Sequence, residues 1–248
     1  MPNHIQNRLI VTANSNDEIK TFVECIKGSE PIDGEFPAID FNKIIPMPIA
    51  LRDTEASSRT DDAIYYYLVN TNQEEMVSRI LRHPQFYTMD RFANRNEKEL
   101  NELVEIGEKY VDIFKECGAK DWYDWRNSNW GTKWNAYETQ LTELDTYSIN
   151  IEFQTALNGV PIIIQKLTEM FPHLKFDYDY ADEDMGYNCG SGYGEDGDFC
   201  FQILKGGSED AIQTYALCWG YDIEEFYQDK DGHWHCRAWE DEDEEDDE

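Results

Sequence analysis

Basic residues are scarce in this chain: 21 Lys and Arg stand against 52 Asp and Glu over 248 residues, a formal net charge of −31. A field of that sign opposes approach to nucleic-acid phosphates and to anionic lipid, so direct binding to either is not expected. Long apolar runs are missing too. The longest aliphatic stretch, Val160 to Ile164, is far too short to cross a bilayer. The N-terminal MPNHIQNRLIV lacks the charged-then-apolar pattern of a secretory leader. The six cysteines, at 25, 117, 189, 200, 218 and 236, form no CxxC pair, which points to free thiols in a reducing cytoplasm. The chain holds no GxSxG, and the glycines between 186 and 197 carry no P-loop Lys-Ser/Thr. No cofactor is implied.

What is present is acid and aromatic. The last ten residues, Trp239 to Glu248, hold nine negative charges, so the remainder still carries −22 and the acidity belongs to the body of the chain. One window runs the other way: Arg79 to Lys98 has five basic residues against two acidic ones, a partner for the acidic parts or a separate contact site. Aromatics make up 14% of the residues, so Phe, Tyr and Trp are expected to build the core.

Periodicity gives an α+β order. Ile5, Leu9 and Val11 alternate as a first strand, and Ser15 with Glu18 forms a capping box before a helix striped by Ile19, Phe22, Val23 and Ile26. Phe41 to Ile45 reads as a short strand closed by Pro46-Met47-Pro48. Residues 49–118 read as a helical insertion, with helices near 60–69 and 74–82 and a longer one capped by Asn96 and ended by Gly118. Alternation returns at Tyr147 to Phe153, Pro161 opens another helix, and Leu174 to Tyr180 is a strand with a charged outer face. Glycines 186–197 read as a turn region before a strand at Phe199 to Ile203. Ser208 then caps a last helix, and a hairpin follows around Asp231-Gly232. The prediction is one α+β domain over residues 1–239, a mainly antiparallel sheet with helices on one face and the insertion at about 49–118, followed by a disordered acidic tail at 240–248.

The stretch Asp121 to Asn135, DWYDWRNSNWGTKWN, holds four of the seven tryptophans. With its Trp130-Gly131-Thr132-Lys133-Trp134-Asn135 motif, with Asn7-Arg8-Leu9, with Phe41 and Ile45-Pro46-Met47-Pro48, and with Phe153, Thr155-Ala156 and Phe171-Pro172, the chain resembles the YubB ferredoxin-like family of plasmid and phage proteins. The likeness spans most of residues 3–205. It departs at Leu157-Asn158-Gly159-Val160-Pro161, where a Trp-Ser-Pro-Pro run is expected. The resemblance implies a ferredoxin-like sheet and a mobile-element origin, and it brings no catalytic residues.

Two candidate sites follow. Trp130, Thr132, Lys133, Trp134 and Asn135 have the chemistry to stack on a base or sugar and fix its orientation; alternatively Gly131 turns the chain and the two indoles anchor the turn in the core. Asp177, Asp179, Asp182, Glu183 and Asp184 offer an acidic surface that imitates DNA phosphates, or a solvated strand face. Asp121 and Asp124 beside Trp122 and Trp125 have the look of a sugar cleft but lack a second placeable carboxylate pair. His233-Trp234-His235-Cys236 offers three metal-ligand types without finger or ribbon spacing, and a polar edge strand explains it better. The expected function is that of a non-enzymatic accessory protein, cytoplasmic in a bacterial host. It would bind a host or mobile-element protein through its acidic surface as a DNA mimic or anti-defence inhibitor. A nucleotide- or sugar-binding protein or enzyme working at 121–135 is the alternative.

Overall fold

The structure, a computed structural model, describes residues 2–31 and 34–239; the expected disordered tail at 240–248 lies outside them. The chain divides into two compact units, residues 1–46 with 130–248, and residues 47–129. The first unit opens with strand β1 (His4–Thr12), in which Ile5, Asn7, Leu9 and Val11 are buried in strict alternation. Helix α1 (Asn16–Ile26) starts at the expected capping box: Glu18 N–H donates to Ser15 Oγ, and the Glu18 carboxylate accepts from Ser15 N–H. The expected strand at Phe41–Ile45 is instead a single helical turn, α2 (Phe41–Ile44). Asp40 caps it by accepting from Asn42 N–H at 2.9 Å, and Asn135 accepts from Phe41 N–H at 2.9 Å. A run this short carries no periodicity to separate strand from helix, so these side-chain acceptors decide.

The second unit is helical. It contains α3 (Ser58–Asn70), α4 (Val77–Ile80), α5 (Glu97–Cys117) and α6 (Trp122–Asn129). Asn96 and Glu99 form a reciprocal capping box on α5, and Gly118, at φ 75°, ends it in the left-handed conformation. Gly107 lets α3 and α5 approach closely: a Cβ there would lie 2.3 Å from the Ala63 carbonyl oxygen. Ile64, Leu68, Tyr110 and Val111 fill the resulting seam. The unit ends at Asn129, so the tryptophan-rich stretch is divided, with Trp122 and Trp125 in the helical unit and Trp130 and Trp134 in the sheet unit.

The sheet unit resumes with β2 (Tyr137–Glu143), β3 (Ser148–Ala156), α7 (Pro161–Met170) and β4 (Lys175–Asp182). A hairpin of β5 (Gly190–Glu195) and β6 (Asp198–Ile203) follows, then α8 (Glu209–Trp219) and a small second hairpin, β7 (Phe226–Gln228) with β8 (Trp234–Cys236). The main sheet has the order β2-β3-β1-β4-β5-β6, with every neighbouring pair antiparallel. Its first four strands, with α1 and α7 as crossovers, make the βαββαβ order of a ferredoxin-like fold, and β5–β6 widens the sheet beside β4.

Both crossover helices lie on one face, as expected. Phe22 of α1 meets Phe171 and Phe176 edge-on at 5.1 and 5.8 Å, and Ile163, Ile164 and Leu167 of α7 are fully buried. The opposite face gains α8, whose Ala211, Ile212 and Tyr215 cluster with Ala181 of β4. Strand β5 corrects the expectation of a turn region across Gly186–Gly197. Its glycines are there for packing: a Cβ on Gly190 or Gly192 would lie 2.8 or 2.6 Å from the tip of Phe201 or Phe199. Those rings lie across the strand, Phe201 stacked on Tyr180 and Phe199 on Phe201.

Candidate functional site

A fully satisfied polar network runs through the sheet core. Asn7, completely buried, donates through Nδ2 to the Ile5 carbonyl and to Thr155 Oγ1 at 3.0 and 2.9 Å. Its Oδ1 accepts from the Tyr178 hydroxyl at 2.7 Å, and that hydroxyl accepts from Val160 N–H, also at 2.7 Å. Burial pushes the Tyr178 phenol well above its ordinary value, so it remains a donor. Thr155 donates in turn to the Asn158 carbonyl at 2.7 Å, which fixes the loop before α7.

The tryptophan motif joins this network from the other side. Trp130 is fully buried, meets Phe41 edge-on at 5.7 Å and donates from Nε1 to the Ile45 carbonyl at 2.9 Å. Gly131, at φ 84°, turns the chain, and its carbonyl accepts from Asn158 Nδ2. Thr132, also fully buried, donates to the Ala156 carbonyl at 2.9 Å and accepts from Ala156 N–H. Asn135 accepts from Phe41 and Ala136 N–H and donates to Asp40. Trp130, Thr132 and Asn135 are therefore fastenings between β3, α2 and the start of β2, and their polar atoms are engaged within the fold.

Trp134 faces outward, beside a half-buried Lys133. Trp134 is 39% exposed, but the Lys133 amine lies over its ring at 4.4 Å and Tyr137 packs against its edge at 6.2 Å. Beyond them, His4 Nδ1 shares a 2.8 Å hydrogen bond with the Tyr137 hydroxyl, whose ionisation is pushed up by burial and then by Glu183 and Glu138. The large cavity of the sheet unit, about 680 Å³, is lined elsewhere, by Glu35–Pro37 and Ala136–Gln140. Trp130 is fully buried, so among the described residues it opens no surface cleft with Lys133 and Trp134.

The five carboxylates do not act as one set. Asp177, Glu183 and Asp184 are exposed. Asp179 pairs with Arg8 at 3.7 Å, and burial raises its carboxyl against that pairing. Asp182 must be taken out of the surface group: it is 5% exposed and accepts from Asn3, Asn188 and Asp184 N–H. Its place at the end of β4 beside Leu157 and Trp219 makes it a tie between loops.

The helical unit holds an ion cluster that sequence reasoning missed. Lys120, 7% exposed at its side chain, lies 2.5 Å from Asp121, 3.2 Å from Asp61 and 3.4 Å from Asp124; Arg82 holds Asp124 at 2.8 Å. Burial alone would lower the Lys120 value, but Asp121 and then Asp124 and Asp61 hold it above the ordinary lysine range. Burial, then Asp61, lifts the neighbouring Tyr87 phenol to about 12. The signal was in the sequence as Lys-Asp-Trp-Tyr-Asp at 120–124, which places Lys120 and Asp124 one helical turn apart. The basic window is absorbed similarly, with Arg91 and Arg95 at 3.0 and 3.6 Å from Asp62. His233 and His235 both face Asp229, at 3.6 and 3.1 Å, while Cys236 is buried. Among the described residues no group of three His, Cys, Asp or Glu is arranged to hold a metal ion, and no helix is long and apolar enough to cross a membrane.

These elements, from the tryptophan motif to the second hairpin, are also where the chain is similar to a known domain. Residues 129–246 match the family model of the ferredoxin-like domain in Api92-like protein. The Api92-like match takes in the whole WGTKWN motif and every strand of the main sheet except β1. Among solved structures, the crystal structure of a protein api92 from Yersinia pseudotuberculosis is similar at 9% sequence identity and a TM-score of 0.42, covering 84% of this chain and 100% of that one. No curated protein matches the chain.

Proposed function

We propose that this chain is a non-enzymatic accessory protein of a phage or plasmid that binds a protein through its acidic surface, occupying a nucleic-acid-handling factor in place of DNA. The observation that carries this reading is the charge and where it is presented. The chain has a net −31, with Asp177, Glu183 and Asp184 presented to solvent, while Trp130, Thr132 and Asn135 are consumed in packing. Such a field favours cationic surfaces, including those that otherwise hold phosphates. The mobile-element origin draws on the likeness to the YubB family carried by the WGTKWN motif, and a cytoplasmic site of action follows from it. The alternative, a nucleotide or sugar held at 121–135, keeps one favourable observation, the exposed edge of Trp134.

The test is affinity capture from bacterial lysate at low and moderate salt, with and without competitor duplex DNA. The reading expects a captured protein that added DNA displaces. Capture of nothing, or of proteins indifferent to DNA, counts against it.

A further inference from the structure

The six-stranded sheet has two outer edges, and they are guarded differently. At one, β2 carries Glu138 and Glu143, a register break between Tyr137 and Gln140, and Glu138 at φ 47°. The Glu35–Pro37 segment lies beside it, and Ala38 N–H donates to Thr139 Oγ1 at 2.9 Å. Charge, bulges and covering loops are the devices that keep foreign strands off a sheet edge. The other edge, β6, carries one charge, Asp198 at the turn end, and no register break. Between Asp198 and Lys205 it reads Phe-Cys-Phe-Gln-Ile-Leu, without charge, proline or glycine, and its register with β5 is unbroken from Glu195–Asp198 to Gly190–Ile203.

The hairpin geometry says which backbone groups that edge offers. Asp196 and Gly197, at φ 56° and 88°, make a two-residue turn, so the closing pair Glu195–Asp198 is the hydrogen-bonded kind and the pairs alternate from there. Asp198, Cys200 and Gln202 use their N–H and C=O groups on β5. Phe199, Phe201 and Ile203 turn theirs outward. On the α7 face, a strand laid there would meet the rings of Phe199 and Phe201 and the 74% exposed Ile203. On the opposite face it would pass Asp198 at the edge, with Glu195 one strand in and Asp177 two strands in. Lys175, the cation close by, is already held by Glu195 at 2.6 Å.

We infer that β6 is a docking edge that takes an extended partner segment of alternating apolar and basic residues as a seventh strand. This rests on the reading of the chain as an acidic protein-binding module, and names the surface and the kind of segment it takes. Backbone pairing supplies the affinity, and the two faces set the alternation. A second copy of this chain is the poorer occupant, because two bodies each carrying −31 repel.

The probe is a synthetic peptide alternating valine and lysine, compared with one alternating valine and glutamate, read by amide hydrogen exchange and by titration. The expected result is that the lysine peptide protects the amides of Phe199, Phe201 and Ile203, which exchange freely without it, while Cys200 and Gln202 are protected throughout. Ile203→Pro, which removes an outward N–H, weakens binding about tenfold or more. Ile203→Lys at the same exposed position does so through like charge, should the proline variant fail to fold. Protection elsewhere, equal binding of the glutamate peptide, or unchanged binding by both variants overturns the inference. So does a dimer in sedimentation that Ile203→Lys abolishes. DNA-displaceable capture that persists in the variants removes the edge and leaves the acidic-surface reading standing. Peptide protection at β6 without any DNA-displaceable capture does the reverse.

Discussion

Asn7 shows how one polar side chain can organise a core. It satisfies Tyr178 and Thr155, and through Tyr178 it holds the N–H of Val160 at the start of α7. Asn7→Ala leaves the Tyr178 hydroxyl without its acceptor in a dry site, at a cost of about 1–3 kcal/mol beyond the lost contacts. Tyr178→Phe strands the Val160 N–H similarly. Denaturant unfolding of both variants checks this, and a neutral result for either would show that the network is slack. Lys120 makes the opposite case, a charge buried among carboxylates. Lys120→Met leaves Asp121, which is fully buried, and Asp61 without their cation, while Asp124 keeps Arg82, and is expected to destabilise the helical unit by about 3–5 kcal/mol. The sign with pH follows from its raised value. The stabilisation is complete below the ordinary lysine value of 10.5 and is lost as pH rises through the higher folded value. Tyr87 adds to this, since a phenol ordinarily at 10.0 and held near 12 favours the folded state until pH climbs through that window. Alkaline melting of the wild-type chain should therefore steepen above about pH 10, and Lys120→Met should flatten that dependence.

Among the elements, those with caps and clear periods were legible in the sequence. The capping boxes at Ser15 and Asn96, the stop at Gly118 and the Asp231-Gly232 hairpin all follow from local chemistry that needs no partner. The misread elements are those decided by distant residues. Phe41–Ile44 is helical because Asp40 and Asn135 supply acceptors, and β5 is a strand because aromatic rings from β4 and β6 cover its glycines. The candidate site divides the same way. The WGTKWN residues stand together in the sequence, but only the fold shows Trp130 and Thr132 buried, Lys133 half-buried and Trp134 exposed. Gly192→Val tests the β5 account at this scale. The added atoms meet Phe199 at 2.6 Å and the Cys200 carbonyl at 2.9 Å, so a loss of about 1–3 kcal/mol is expected although valine favours strands. An increase in stability would contradict the packing role of that glycine.

For the molecule as a whole, the deciding quantity is charge. The acidic residues outnumber what internal pairing consumes: Arg8, Arg82, Arg91, Arg95, Lys120 and Lys175 already hold carboxylate partners. What is left faces solvent as a field that falls off over roughly 8 Å at physiological salt. Binding through it should weaken steeply as salt rises. The most direct measurement is displacement of fluorescent duplex DNA from a captured partner by the wild-type chain and by an Asp177→Asn, Glu183→Gln, Asp184→Asn variant. The wild type is expected to displace the DNA, and the neutralised variant, equally folded, to do so at least about tenfold less well. Equal displacement by the two, or none by the wild type, would contradict the acidic-surface reading.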